Sequence, residues 1–300
     1  MSEVVEEENA RQLAEHIAPA IRYRALRRYT SNVGAVFGAV YIFLLVVVCV
    51  FPRILTKYPQ NDIDLLRPRI APSGEHWLGT DQLGRDVLSE LLHAGLISLR
   101  IALGVAILST LIGATLGAIA GYKKGWLDSF IMRSTDLFLV IPQIVILAIS
   151  LKKYRDGGDI AIVVVLALVF WMSTARYVRG QVLSLRTREY VDAAKISGRR
   201  TMYIVFRHLI PNSWSIIAVS SVLAVANAIL TESTLSFLGL GVKPPETSWG
   251  LMLENARANV LGEDFHLVLA PGLAIFLTVL AFNFIGDGLR DALDPRSEQS

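Results

Sequence analysis

A run of residues without any charged side chain, from 33 to 51, constrains the fold more than any other feature of the sequence. Its length is close to the roughly 20 apolar residues that a helix needs to cross a bilayer. The composition agrees, because 53% of the residues are hydrophobic and 18% are charged, against about 45–50% and about 25% in soluble domains. The sequence therefore predicts a membrane protein, and its net charge of +3 gives no indication of a nucleic-acid partner.

Five further apolar segments predict an all-α polytopic protein of about six transmembrane helices. Prolines break the segment after the first span, so residues 52–96 are expected to form an external loop. An amphipathic helix that begins near Val87 is expected to run along the membrane surface at the end of this loop, ahead of a transmembrane domain at residues 97–295. The six predicted spans are residues 33–51, 101–122, 130–151, 160–174, 214–230 and 267–285.

Basic residues predict the orientation of the chain, since they are enriched in the cytoplasmic segments of membrane proteins. The long connection at 176–213 is strongly basic, and a cluster of arginines precedes the first span. The short basic segment at 152–155 falls on the other side and opposes this rule. We therefore expect both termini in the cytosol, with tails at residues 1–32 and 296–300, and contact with membrane lipid. The arginines ahead of the first span are Arg22, Arg24, Arg27 and Arg28.

Three glycines recur at every fourth position of the second predicted span. Gly113, Gly117 and Gly121 lie on one face of a helix, where the missing side chains let a second helix backbone approach closely. The spacing predicts helix packing within this chain, and an interface with another subunit is the alternative.

The third predicted span carries charged residues and a proline. Arg133 and Asp136 are three residues apart, so they can form a structural ion pair on one helix face. A proton-relay role for Asp136 is the alternative, because ionisable residues inside a membrane are often functional. Pro142 is expected to kink the helix on the side that faces a pathway.

The sequence lacks the common motifs for nucleotide, metal and acyl-transfer chemistry. It has no Gly-x-x-x-x-Gly-Lys-Ser/Thr loop for phosphates, no His-Glu-x-x-His and no Gly-x-Ser-x-Gly. The five histidines are scattered, and the single cysteine, Cys49, excludes both an intrachain disulfide and a thiolate metal cluster. We therefore predict a chain that is not an enzyme and binds no cofactor or metal.

Residues 186–212 form a basic, polar segment between two long apolar ones, and they are too many for a simple connection. Apolar positions within them predict two short helices. Gly198 is expected to end the first helix and Pro211 to fix the start of the next span. We expect Ala193 and Ala194 to face a groove in a partner protein. The alternative is a basic loop that binds anionic lipid.

Several motifs resemble one family of transport proteins. Asp192, Ala193, Ala194, Gly198 and Pro211 are similar to the Glu-Ala-Ala loop of permease subunits in bacterial ATP-binding-cassette (ABC) importers, with Asp192 in place of the glutamate and His208 at a position often held by isoleucine. Other segments resemble the second, C-type permease of dipeptide, oligopeptide and nickel importers. These segments are residues 79–81, 84–86, 207–212, 235–241, 248–250 and 283–295.

The resemblance implies the type I ABC importer permease fold, with a cytoplasmic coupling helix, in the bacterial inner membrane. It implies as partners a homologous second permease, two ATPase subunits that hold ATP and magnesium, and an extracytoplasmic substrate-binding protein. Pro142 and Trp249 are predicted at the pathway or its gate. The residues predicted to couple to the ATPase are Tyr190, Asp192, Ala193, Ala194, Gly198, Arg199, Arg200 and Pro211.

Peptides are the substrate that the resemblance favours. Nickel chelates, opines, glycosides and haem are the alternatives, because selectivity in such complexes depends largely on the binding protein. A different class of function, an ion-coupled secondary transporter that uses Arg133 and Asp136, is also considered.

Overall fold

The computed structural model describes residues 26–154, 157–257 and 264–293. Most of the predicted amino-terminal tail, with Arg22 and Arg24, and the predicted tail at 296–300 lie outside these residues. The described part is helical, and its single isolated bridge joins Thr80 to Asp86. The predicted all-α fold class is confirmed.

Five helices are long and apolar enough to cross a membrane, and a bent pair of helices would make a sixth span. The five are α1 (Val33–Val50), α2 (Val87–Lys123), α5 (Gly158–Leu185), α9 (Trp214–Phe237) and α11 (His266–Leu293). The bent pair is α3 (Gly125–Val140) and α4 (Gln143–Lys153). The shorter helices are α6 (Glu189–Ile196), α7 (Thr201–Ile204), α8 (Ile210–Asn212) and α10 (Trp249–Ala256).

The bent pair turns by 91° at Pro142, where the helix breaks between Val140 and Gln143. Proline has no N–H to continue the helical hydrogen bonds, and its ring disfavours the helical conformation of the residue before it. Ile141 is accordingly extended, with φ −77° and ψ 134°. The third span is therefore two helices in the structure rather than the single helix predicted at 130–151.

The prediction of a separate surface helix that begins near Val87 is wrong. The structure has one continuous helix, α2, from Val87 to Lys123. Asp86 caps its first turn, because the Ser89 N–H donates to Asp86 Oδ1 at 2.8 Å. Polar residues in this first part, such as Glu90, are buried against other segments of the protein rather than placed at a lipid surface.

The predicted fourth span, 160–174, is too short, since α5 extends to Leu185. Arg176 and Arg179 lie inside the helix because each has a carboxylate partner on α3. Arg179 donates from Nε and Nη2 to the two Asp128 oxygens at 2.5 and 2.7 Å, and Arg176 pairs with Asp136. Such pairing makes charged residues tolerable within a membrane helix.

Glycines bring α2 and α5 into close contact. A Cβ at Gly113 would lie 2.6 Å from the carbonyl oxygen of Trp171, and one at Gly121 would lie 3.0 Å from that of Arg179. Gly117 meets the carbonyl of Ala175 even more closely. The glycine face is thus a contact within the chain, and a larger side chain there would push the helices apart.

Two ends of the molecule carry the segments outside the long helices. We call the end with residues 186–213 the short-helix end, and the end with residues 52–86 and 238–257 the long-loop end. The helices α2, α5, α9 and α11 run between these ends, around a core that includes Ile101, Val105, Leu147, Leu166 and Ile229.

Candidate functional site

The helix α6 at the short-helix end is fixed to the long helices by an apolar cluster. Val191 is fully buried, and Ala194 one turn later is 9% exposed. The cluster joins α6 to α2, α5, α9 and the segment 204–209. Its buried members are Ala114, Ala118, Val178, Val182, Val191, Ala194, Ile204, Val205, Leu209 and Ile217. Burial of this face ties any displacement of α6 to the ends of the long helices.

The two alanines predicted to face a partner lie on different sides of α6. Ala194 points into the apolar cluster, whereas Ala193 is exposed. The expectation that both are presented to a groove is therefore wrong for Ala194, because a face containing Val191 also contains the residue three positions later. Ala193 remains accessible to a partner protein.

Gly198 ends α6 through its backbone conformation. Its φ is +70°, the left-handed region that glycine adopts without strain. The Gly198 N–H donates to the Lys195 carbonyl at 2.9 Å and the Arg199 N–H to the Ala194 carbonyl at 3.1 Å. This pair of bonds is a Schellman motif. A Cβ at Gly198 would meet nothing within 4 Å, so the torsion angle and not space favours glycine.

A π-helical turn at Val205–Leu209 connects α7 to α8 and to Pro211. The Ile210 N–H bonds to the carbonyl of Val205, five residues back. This wider turn lets both Val205 and Leu209 point into the apolar cluster, where each is fully buried. Pro211 lies in α8, just ahead of the start of α9 at Trp214.

The outer surface of this region is apolar and basic. Ile196, at the end of α6, is 88% exposed, and Met202 and Phe206 are about half exposed. Arg199 lies over the Tyr203 ring at 4.9 Å from the centroid. We call this the outer surface, and it consists of Tyr190, Asp192, Ala193, Lys195, Ile196, Arg199, Arg200, Met202, Tyr203 and Phe206.

Sequence reasoning did not single out Ile196 as an outward-facing residue. The signal was present, because Ile196 is five positions from Val191 and so lies away from its face. Asp192, in contrast, is satisfied locally: Lys195 Nζ lies 2.8 Å from its Oδ1, and both side chains are exposed.

The predicted Arg133–Asp136 pair is wrong. Asp136 pairs with Arg176 of α5, whose Nε also donates to Thr135 Oγ1 at 3.3 Å. Because Asp128 pairs with Arg179 on the same two helices, α3 is joined to α5 by two ion pairs. These contacts attach the bent α3–α4 pair to the helix that leads into α6.

Trp249 and Pro142, predicted at a pathway or gate, lie in different surroundings. Trp249 is 1% exposed, its N–H donates to Ser98 Oγ at 3.2 Å and its Nε1 to the Leu91 carbonyl at 3.0 Å. Pro142 is exposed at the break between α3 and α4. Their role in a pathway stays a prediction.

A buried carboxyl group organises the surroundings of Trp249. Glu232 of α9 is 1% exposed and accepts a hydrogen bond from Ser236 Oγ at 2.6 Å. Ser236 Oγ also lies 3.4 Å from Ser248 Oγ, which links the carboxyl group to the start of α10. Ser248 caps α10, since its Oγ accepts from the Leu251 N–H at 3.2 Å. Sequence reasoning did not single out Glu232, which is linked to α10 through Ser236 of its own helix.

The helical fold, with a short helix anchored between two long spans, fits the class that the sequence resembles, the polytopic permease subunits of ABC importers with the type I fold. Residues 113–299 match the model of the family described as binding-protein-dependent transport system inner membrane component. This match covers more than half of the chain, so the chain belongs to that family. Residues 22–72 match the N-terminal transmembrane domain of oligopeptide transport permease C. The chain is thus a multi-pass inner membrane protein, as its sequence predicted.

Relatives match along nearly the whole chain. A Brucella suis protein provisionally named a peptide permease is 46% identical over 277 residues, which cover 92% of this chain and 91% of the relative. The glutathione transport system permease protein GsiD of Pectobacterium atrosepticum is 41% identical, with 90% and 89% covered. The oligopeptide transport system permease protein OppC of Bacillus subtilis is 37% identical, with 91% and 88% covered.

Proposed function

We propose that this chain is the C-type permease subunit of an ATP-driven peptide importer and forms half of its translocation pathway. Membership of the permease family supports the transport function. The names of the relatives, which specify oligopeptide, dipeptide and glutathione transport, support peptides as the substrate. A homologous permease would supply the other half, and a substrate-binding protein would deliver the peptide.

The observation that carries the proposal is the contrast between the two sides of α6. The inner side of α6 is buried with α2, α5 and α9, while the outer surface formed by α6, α7 and the π-helical turn exposes Ile196, Met202 and Phe206 beside Arg199 and Arg200. Exposed apolar groups rimmed by charged ones are typical of a protein interaction site. An ATPase subunit bound there could move the long helices through α6, whereas this chain would not itself hydrolyse ATP.

The mechanism requires one rigid element with two positions. Closure of the ATPase pair on ATP would displace α6, and the apolar cluster would transmit this displacement to α5 and α9, opening the pathway toward the binding protein. Hydrolysis would reset it. ATP and magnesium would be bound by the ATPase subunits, consistent with the lack of a phosphate-binding loop here.

Reversal of charge on the outer surface tests the coupling. The double variant Arg199→Glu, Arg200→Glu in the reconstituted complex is expected to abolish peptide uptake and to make ATP hydrolysis independent of the binding protein. The matched control is Lys152→Glu, Lys153→Glu, two exposed residues at the other end of the molecule, which should retain coupled hydrolysis. Wild-type uptake by the arginine variant would refute the proposed contact.

The proposal places the short-helix end in the cytoplasm, because its basic residues follow the positive-inside rule. The single cysteine, Cys49, is buried, so the protein provides a low background for labelling. In intact cells, a membrane-impermeant maleimide should label Ser73→Cys at the long-loop end but not Ser197→Cys. The opposite pattern would invert the topology and remove the ATPase from the proposed surface.

The secondary-transporter alternative loses support from the geometry, since Asp136 is engaged by Arg176. Uptake that stops with vanadate but survives a collapsed proton gradient would exclude it. The ligand that co-purifies with the partner binding protein identifies the substrate. It would distinguish peptides from nickel chelates, opines, glycosides and haem.

A further inference from the structure

A cavity of about 490 Å³ lies at the long-loop end between α10 and the residues that precede α2. This volume is within the range of about 300–1,000 Å³ that is usual for small-molecule sites. One side is apolar, with Val87, Leu251 and Met252 in its lining. The cavity is distinct from the outer surface, which lies at the other end of the molecule.

The polar part of the lining is acidic. It contains the three carboxylates of Asp81, Glu90 and Glu246 and one guanidinium, that of Arg85, which gives a net charge of −2. Arg85 Nη2 lies 2.6 Å from Asp81 Oδ2, and its Nη1 lies 3.4 Å from Glu90 Oε2. Outside the lining, Arg100 Nη2 is 3.8 Å from Glu246 Oε1. The cavity therefore favours a positively charged ligand.

Glu90 is the group in this lining with an unmet hydrogen bond. It is 3% exposed, and its Oε1 accepts from the Asn61 N–H at 2.9 Å. Its Oε2 has no hydrogen-bond partner among the described residues. A buried carboxylate oxygen without a donor is unfavourable, so a ligand that donates a hydrogen bond would gain affinity there.

We propose that this cavity binds the amino-terminal end of a short peptide, with the α-ammonium at Glu90 and the first apolar side chain against Leu251 and Met252. This inference rests on the proposed peptide class of substrate. Arg85 Nη1 lies 3.4 Å from Glu90 Oε2 without donating a hydrogen bond to it, and one guanidinium faces three carboxylates, so an ammonium group would add a donor and a second positive charge. The apolar wall argues against a bare divalent cation, which requires about six oxygen ligands.

Binding to the purified complex tests this site. The two permeases and the ATPases are reconstituted in nanodiscs without the binding protein, and the affinity for radiolabelled Leu-Leu is measured by equilibrium dialysis. N-acetyl-Leu-Leu should compete at least about tenfold more weakly than unlabelled Leu-Leu, because acetylation removes the charge that Glu90 would bind.

Variants locate the binding in this cavity. Glu90→Gln removes the negative charge, Met252→Trp fills the apolar side, and each should weaken Leu-Leu binding about tenfold. The matched control is Glu254→Gln, a carboxylate of α10 that does not line the cavity, and it should retain wild-type affinity. The size-exclusion profile shows whether each variant assembles. If one does not, competition by the acetylated peptide, measured on the wild-type complex, still tests the proposal.

Three results would overturn the proposal: no saturable binding by the wild-type complex, equal competition by the acetylated peptide, or unchanged affinity in either assembled variant. ATP-driven uptake with the binding protein present is measured in parallel. Uptake of peptides without binding in the cavity would remove this site and leave the proposed function intact. Absence of peptide uptake would remove the proposed function itself.

Discussion

The two ends of the molecule are held by different interactions. At the short-helix end, α6 is fixed through apolar side chains such as Val191 and Leu209. At the long-loop end, α10 combines apolar contacts of Trp249 with hydrogen bonds from its backbone N–H to Ser98 Oγ and from its Nε1 to the Leu91 carbonyl. Apolar contacts depend weakly on orientation, whereas hydrogen bonds depend strongly on distance and angle. The difference favours an α6 that can reorient while it stays buried, and an α10 that keeps one position.

The largest expected effect comes from placing a charge in the apolar cluster. Val191→Asp buries a carboxylate with no partner, which costs about 3–5 kcal/mol, so little complex should be recovered after solubilisation. Thr187→Asp introduces the same charge at an exposed site outside the outer surface and should assemble normally. Equal recovery of the two variants would show that the cluster does not hold α6.

Loss of the buried carboxyl at the long-loop end should have the next largest effect. Glu232→Ala leaves the buried Ser236 hydroxyl without its acceptor, at a cost of about 1–3 kcal/mol, and should lower the melting temperature of the purified complex. Glu232→Gln retains an acceptor oxygen and should melt between the alanine variant and the wild type. A melting temperature for Glu232→Ala equal to that of the wild type would contradict the role assigned to this network.

A smaller effect is expected at the end of α6. Gly198→Val forces a β-branched residue to φ +70°, which costs about 1–2 kcal/mol. It should loosen the end of α6, so that uptake falls while the melting temperature of the complex changes little. Gly198→Asn, with a residue that tolerates this conformation, should retain most of the uptake. If the two variants behave alike, the torsion angle at Gly198 is not what fixes the end of α6.

The sequence predicted about six spans and short helices within residues 186–212, because both depend on local composition and periodicity. It misplaced the ends of α2 and α5, because Glu90, Arg176 and Arg179 look like boundary residues until their distant partners, Asn61, Asp136 and Asp128, are known. A single window cannot contain both members of a pair such as Arg179 and Asp128.

The candidate site could be predicted only in part, because some of its features depend on local periodicity and others on contacts between distant segments. Helical period places Val191 and Ala194 together and Ile196 apart from them, so the outward isoleucine could have been found by stricter use of periodicity. The link from Glu232 through Ser236 to Ser248 could not, since Ser248 belongs to a separate segment that only the tertiary structure brings to α9. The cavity around Glu90 likewise forms from residues that are far apart in sequence.

The regular spacing of Gly113, Gly117 and Gly121 has a further consequence for α2 and α5. A slide of four residues, about 6 Å at 1.5 Å per residue, would again place two of the three glycines opposite these carbonyl groups, so the glycines alone do not select the alignment. The alignment is selected elsewhere, by the Arg100–Asp159 ion pair and by Arg186 Nη1, which donates to the Tyr122 carbonyl at 3.4 Å. These two contacts, one near each end of the helix pair, prevent α2 and α5 from sliding along each other.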